Sequence, residues 1–271
     1  MKQYIAGIGE IPEIKKEISS VARMLWEKGW AERNAGNISY NVTEMLGELA
    51  ANIDFDPPVS LKESFPALDN NLILVSGTGT RMRDLAESPH ENTCILHITK
   101  GGSAFRQMQK PEIDRVILPT SELPTHLAIH NMLCSENREE KVIVHTHPDQ
   151  LIALTHIREF CDEERINNML WSMQPETCVF IHDGIGFVPY LRTGTHELAR
   201  ATIEKLKHHR IALWEKHGCL AIGKDANDAF DLIDIAEKSA GIFFTCKSAG
   251  YEVEGISKND LDELRAAFGI K

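Results

Sequence analysis

The chain reads as an α/β protein. Two observations predict this. Amphipathic segments with apolar residues at three- and four-residue steps alternate with short β-branched runs, and 42% hydrophobic residues over 271 positions can fill one large α/β core or two small ones. No internal repeat or low-complexity segment divides the chain, so one domain over 1–271 is the simplest organisation.

From Gly9 to Gly29, Ile11, Ile14, Ile18, Ala22, Leu25 and Trp26 recur at helical spacing, with Gly29 as a C-terminal stop. Asn34, Gly36 and Asn37 then lead into a strand, Ile38–Val42. This is either an ordinary turn or an anion-cradling loop whose glycine lets backbone N–H groups approach a ligand. Residues 44–70, with Pro57, Pro58 and Pro66, read as an irregular excursion before the strand Leu72–Val75. Ser76-Gly-Thr78-Gly79-Thr80 is a Gly-rich turn into a helix from Arg81. It lacks the lysine of a P-loop and the third glycine of a dinucleotide fingerprint. Cys94–Thr99 and Ala104–Met108 flank Gly101-Gly102 as a hairpin.

Pro119-Thr120-Ser121-Glu122-Leu-Pro124 opens a helix, with Thr120 or Ser121 as its N-cap and Pro124 in its first turn. Glu122 thus sits at a positive helix end, either as a common first-turn acid or as a carboxylate held beside an anion site. His126 and His130 lie one turn apart on this helix. Without a glutamate after His126 they read as packing residues.

The centre of the chain is Lys141-Val-Ile-Val-His145-Thr-His147-Pro148. Its β-branched run ends at proline, and residues two apart on a strand share a face, so His145 and His147 converge. Two imidazoles in this arrangement are either hydrogen-bonded core residues or part of a zinc ligand set. Helices follow from Pro148 and over Asp162–Met173, then a strand at Cys178–Ile181, a turn at Asp183–Gly186 and a helix from Thr195 to about His208. The basic residues from Lys205 to Arg210 suit a helix C-terminus. Strand-like Ile211–Trp214 and Cys219–Ile222 flank His217-Gly218, where a histidine at a bend is suited to be a third ligand. A long helix over Asp225–Gly250 and a short one over Asn259–Phe268, with Asn259 or Asp260 near its cap, close the chain.

Composition narrows the function. A net charge of −11 argues against nucleic acid as partner, since phosphate-backbone binding needs a basic surface. No stretch approaches the roughly eighteen consecutive apolar residues of a membrane span, and the N-terminus lacks signal-peptide character, so the expected location is cytoplasmic, away from membranes. The six scattered cysteines contain no Cys-x-x-Cys pair and read as reduced thiols.

The order Asn-x-Gly-Asn, Gly-Thr-Gly, Pro-Thr-Ser-Glu, His-Thr-His-Pro and Lys-His-Gly resembles the class II aldolase/ribulose-phosphate epimerase family, more narrowly its rhamnulose-phosphate members. The resemblance runs from Gly29 through Ser239. It implies an α/β/α sandwich around a mostly antiparallel sheet, with one zinc ion per subunit on His145, His147 and His217. It further implies a phosphorylated ketose held by Asn34, Gly36, Asn37, Thr78, Gly79, Thr120 and Ser121, with Glu122 as catalytic acid/base. Glu176 matches a second carboxylate that reaches the site from a neighbouring subunit of a homotetramer. Here Gln174-Pro175 precedes it where small residues are expected. The implied reaction is cleavage of L-rhamnulose 1-phosphate to dihydroxyacetone phosphate and L-lactaldehyde. The alternatives within the family are a fuculose-phosphate aldolase, a pentulose-phosphate 4-epimerase or a non-catalytic adducin-like module.

Overall fold

A computed structural model describes residues 12–47 and 53–270. Its centre is a nine-stranded sheet: β1 (Asn37–Asn41), β2 (Val59–Ser60), β3 (Leu72–Ser76), β4 (Thr93–Thr99), β5 (Ala104–Gln107), β6 (Val142–Thr146), β7 (Ile185–Val188), β8 (Ile211–Trp214) and β9 (Gly218–Gly223). The strand order is β2-β5-β4-β3-β1-β6-β9-β8-β7. Neighbours pair antiparallel except β7 with β8, which matches the expected mostly antiparallel sheet.

Strand alternation sorts the core into two sides. Val142 and Val144 of β6, with Leu72 and Leu74 of β3, pack with α1 (Pro12–Glu27) and α10 (Ala226–Ser248). Ile143 and, further along the sheet, Ile73 and Val75 turn the other way. They join clusters that contain α5 (Leu123–Ser135) and α9 (His196–Leu206). Because successive side chains leave opposite faces of a strand, these two sets define helical layers on either side of the sheet. The remaining helices, α2 (Thr43–Leu46), α3 (Met82–Glu87), α4 (Pro89–Asn92), α6 (Asp149–Leu154), α7 (Glu163–Met173), α8 (Pro175–Phe180) and α11 (Lys258–Ala267), complete the layers.

Most of the expected elements are present. Gly29 does stop α1: its φ is +79°, and the Trp30 N–H returns to the Leu25 carbonyl. Gly9 to Ile11, where the first helix was expected to begin, lie outside the described residues, as do 48–52 in the irregular stretch.

Four expectations need correction. Residues 55–68 are tied to the sheet edge rather than looping away from it, through the β2–β5 pairing, the Phe55–Met108 bridge and buried Phe65 and Leu68. Cys178–Ile181 is not a strand. Pro175 starts the helix α8, and Thr177 is buried with its hydroxyl 2.7 Å from that of Ser239 on α10. The turn expected over Asp183–Gly186 ends earlier, because Ile185 and Gly186 already belong to β7. The cap of one helix also shifts. Glu122, not Thr120 or Ser121, occupies the N-cap position of α5 with no side-chain cap bond, whereas in α11 Asn259 and Asp260 do lie beside the cap, Ser257, which accepts from the Asp260 N–H.

Candidate metal and substrate site

The site grows from the end of β6. Pairing on one side sets Asn37 of β1 opposite His145; pairing on the other sets Cys219 of β9 opposite Thr146. His217 therefore arrives from the β8–β9 hairpin beside the two histidines of β6. Gly218 is required there, since a Cβ would stand 2.5 Å from the Thr146 carbonyl oxygen and 2.8 Å from His147 Cδ2. Thr146 and His147 are pinned from behind, as the Thr146 hydroxyl and the His147 N–H both donate to the Trp30 carbonyl, at 2.6 and 2.9 Å.

One ligating nitrogen from each of His145, His147 and His217 lies within 4.8 Å of the other two. The ring centroids are 5.0–5.2 Å apart. Second partners fix two of the rings. His145 Nδ1 donates to the Cys219 carbonyl at 2.8 Å and His147 Nδ1 to Glu32 at 2.9 Å, so each presents Nε2 to the cluster. Trp214 backs the group, with its ring centroid 4.6 Å from that of His145 and stacked 5.0 Å from that of His217. Burial, reinforced by repulsion from His147, pushes the His145 pKa down to about 3. Burial and the neighbouring imidazoles push His217 down to about 4. Neutral imidazoles are what a metal ion requires, and three nitrogens with free Nε2 positions on two of the rings fit a divalent cation with coordination sites left open.

Glu122 stands at the edge of this cluster. Its Oε2 is 3.7 Å from His145 Nε2 and accepts a 2.8 Å hydrogen bond from Asn37 Nδ2. Asn37 was expected at the phosphate. In the folded chain both ends of its amide are hydrogen-bonded within the protein, Nδ2 to Glu122 and Oδ1 to His126.

The other expected substrate residues assemble around this pair. Gly36, with φ +79°, lies where a Cβ would be 3.0 Å from the His145 carbonyl oxygen, and Asn34 is exposed on the same loop. Gly77 bridges to Pro119, the Thr78 N–H donates to the Leu118 carbonyl, and the Thr120 N–H to that of Ser76. These bonds stitch the Thr78-Gly79 turn to the segment carrying Thr120, Ser121 and Glu122. Thr78, Gly79 and Ser121 are exposed, while Thr120 is buried.

Glu176 is not brought to the cluster. It lies exposed near the start of α8, which packs mainly with α7, α10 and α11. Sequence reasoning also missed three contributors. Glu32 and Trp214 contact the histidines, and a 410 Å³ cavity beside the Gly36 loop is lined by Arg33, Arg81 and Arg83 together with Glu32. Three guanidinium groups against the Glu32 carboxylate, with Arg83 beside Asp84, leave a local excess of positive charge in an otherwise acidic chain.

The profile of the class II aldolase and adducin N-terminal domain family matches residues 16–244. The chain belongs to this family. It is 41% identical over 263 residues to rhamnulose-1-phosphate aldolase of Bacteroides thetaiotaomicron, covering 96% of each chain. It is 33% identical to the protein of the same name from Enterococcus faecalis, over 94% of this chain and 91% of that one. Among solved structures, a sugar-phosphate aldolase from Thermotoga maritima superposes with a TM-score of 0.77 at 34% identity, covering 90% of this chain and 99% of the other.

Proposed function

We propose that the protein is a zinc-dependent aldehyde-lyase that cleaves L-rhamnulose 1-phosphate into dihydroxyacetone phosphate and L-lactaldehyde, acting as a cytoplasmic homotetramer. The observation that carries this reading is a three-histidine cluster with an adjacent glutamate, in a chain 41% identical over 96% of its length to a rhamnulose-1-phosphate aldolase. An adducin-like binding module has no use for an open ligand set of this kind.

His145, His147 and His217 would hold the ion. When bound there, zinc supplies Lewis acidity toward the substrate carbonyl, the sink for the electron pair released as the C3–C4 bond breaks. The chain supplies the rest. Asn34, the Thr78 hydroxyl, the Gly79 N–H and Ser121 orient the phosphate, with Arg33 and Arg81 adding positive potential at the entrance. Fixing this remote group positions the reacting carbons. Glu122 delivers the proton that C3 gains in cleavage and removes it in the reverse direction. The C4 hydroxyl must lose its own proton to become the aldehyde, and Glu176 of a neighbouring subunit is assigned that role.

The test is a panel of phosphorylated ketoses given to the zinc-loaded enzyme. Release of dihydroxyacetone phosphate should be at least about tenfold more efficient, as kcat/KM, from L-rhamnulose 1-phosphate than from L-fuculose 1-phosphate, with L-ribulose 5-phosphate left unepimerised. Preference for either of the other two sugars overturns the substrate assignment. Glu122→Ala should keep its zinc and lose about 10²- to 10⁴-fold in kcat; near-normal turnover removes Glu122 from the mechanism.

A further inference from the structure

Strand β1 carries two kinds of face. Ile38 and Tyr40 enter the apolar core beside α1, whereas Asn37 and Ser39 alternate with them and turn toward α5. Their exposures are only 6% and 0%, so this polar face is not a solvent face. His126 and His130, one turn apart on α5 and equally buried, meet it. Ser39 Oγ lies between the two rings, 2.7 Å from His126 Nδ1 and 2.8 Å from His130 Nε2. His126 Nε2 bonds Asn37 Oδ1, and Asn37 Nδ2 lies 2.8 Å from Glu122 Oε2.

The protons in this chain have one consistent arrangement. A carboxylate only accepts, so the Asn37 amide N–H₂ faces Glu122 and its carbonyl oxygen faces His126. That oxygen also only accepts, so His126 carries its proton on Nε2. Burial keeps His126 and His130 neutral at physiological pH, with pKa values pushed down to about 4 and 3. The bare Nδ1 of His126 must then accept, and its partner is the Ser39 hydroxyl. With its one hydrogen spent, the Ser39 oxygen accepts from His130 Nε2–H. Every donor therefore points the same way, from His130 through Ser39, His126 and Asn37 to the carboxylate.

We propose that Ser39, His126 and His130 are positioning residues which, through Asn37, hold the Glu122 carboxylate in its working orientation by this one-way hydrogen-bond chain. The inference rests on the reading of Glu122 as the acid/base. Such a chain polarises each bond in the direction of the charge at its end, and it fixes Oε2, leaving Oε1 for the substrate proton. Four buried polar side chains are costly to retain, and an apolar packing of the same shape could replace their mutual bonds at little loss of stability. What an apolar packing could not do is end in a donor to Glu122.

In the metal-loaded enzyme, Ser39→Ala cuts the chain two links from Glu122 and leaves the metal and phosphate residues untouched. The expected result is a kcat lower by about tenfold, with KM and bound metal unchanged. Introduced into Glu122→Ala, the same substitution should cost less than about twofold, because the group it orients is gone. An equal fall in both backgrounds, a loss of metal that accompanies the fall in kcat, or wild-type kcat in Ser39→Ala overturns the proposal. A measurement on the unmutated holoenzyme applies even if Ser39→Ala does not fold. Nitrogen-15 NMR of labelled histidine should show His126 at pH 7 as the neutral tautomer protonated on Nε2, and an Nδ1–H tautomer or an imidazolium overturns the chain. Failure of the underlying reading is separately visible, as near-normal turnover of Glu122→Ala.

Discussion

Of the three imidazoles proposed to hold the metal, His147 has the support most open to test. Its ring is oriented by Glu32, a carboxylate 67% exposed, whereas His145 is oriented by a buried backbone carbonyl that no side-chain substitution removes. A carboxylate on the far nitrogen of a ligating imidazole fixes the tautomer and raises its basicity. Glu32→Gln keeps a hydrogen-bond acceptor and loses the charge, so metal affinity should fall by about tenfold, at the low end for such partners because solvent screens the pair. Competition with a chromophoric chelator measures this directly, and unchanged affinity would mean that Glu32 contributes nothing to the ligand. His145, His147 and His217 were legible in the sequence because strand alternation and a glycine bend constrain where such side chains point. The Glu32 contact was not. It joins positions 115 apart, and nothing in Glu32-Arg-Asn34 distinguishes a supporting carboxylate from a solvated turn residue.

Among the elements, the β8–β9 hairpin brings His217, the proposed third ligand, to the other two histidines, and it turns on Gly218. The sequence places a glycine directly after His217 at this bend, and the structure names the atoms that any side chain there would meet, the Thr146 carbonyl and the His147 ring. Gly218→Ala should displace the hairpin from β6, lower bound metal and cost roughly 2 kcal/mol or more in stability, since the opposing atom is backbone and cannot swing aside. Gly79→Ala is the internal control. No heavy atom lies within 4 Å of its added Cβ, but its φ of +73° makes a cost of about 1 kcal/mol the expectation, with metal retained. Urea unfolding and metal analysis of the two variants separate the cases, and equal metal content in both would count against the hairpin as the ligand's seat. Element type was readable where periodicity ran long, as in α1 and α10. It failed at Cys178–Ile181, because a four-residue apolar run fits a strand or a helical turn equally and the burial of Thr177 against α10 decides between them. The polar alternation of β1 was visible too, but only a partner helix bearing His126 and His130 reveals that the polar face is internal.

For the whole molecule, the buried histidines couple stability to acidity. The folded-state pKa values of His126 and His130, about 4 and 3, lie below the ordinary 6.5. As pH falls below 6.5 the unfolded chain binds protons that the folded chain refuses, so stability is fully present above that value and is lost progressively toward the folded values. Between pH 7 and 5 each histidine should remove about 1–2 kcal/mol. Urea unfolding of the metal-free protein at the two pH values measures their sum together with the same kind of loss from His145 and His217, whose pKa values burial also lowers, and a flat profile would show that these rings are charged or hydrated in the folded state. Assembly is the remaining property at this scale. Glu176 lies exposed on α8, outside its own chain's histidine cluster, so a role in catalysis requires that a neighbour's site receive it. Glu122→Ala and Glu176→Ala homo-oligomers should then both be impaired. In randomly mixed oligomers each site draws its Glu122 and its Glu176 from different chains. Each has an even chance of being intact, so about a quarter of the sites regain both carboxylates. Mixing the two inactive proteins under conditions of subunit exchange should therefore restore up to about a quarter of wild-type turnover. If co-purification through two affinity tags proves the mixing and activity stays at the level of the parents, Glu176 does not act across an interface, and the proton of the C4 hydroxyl must leave by another group.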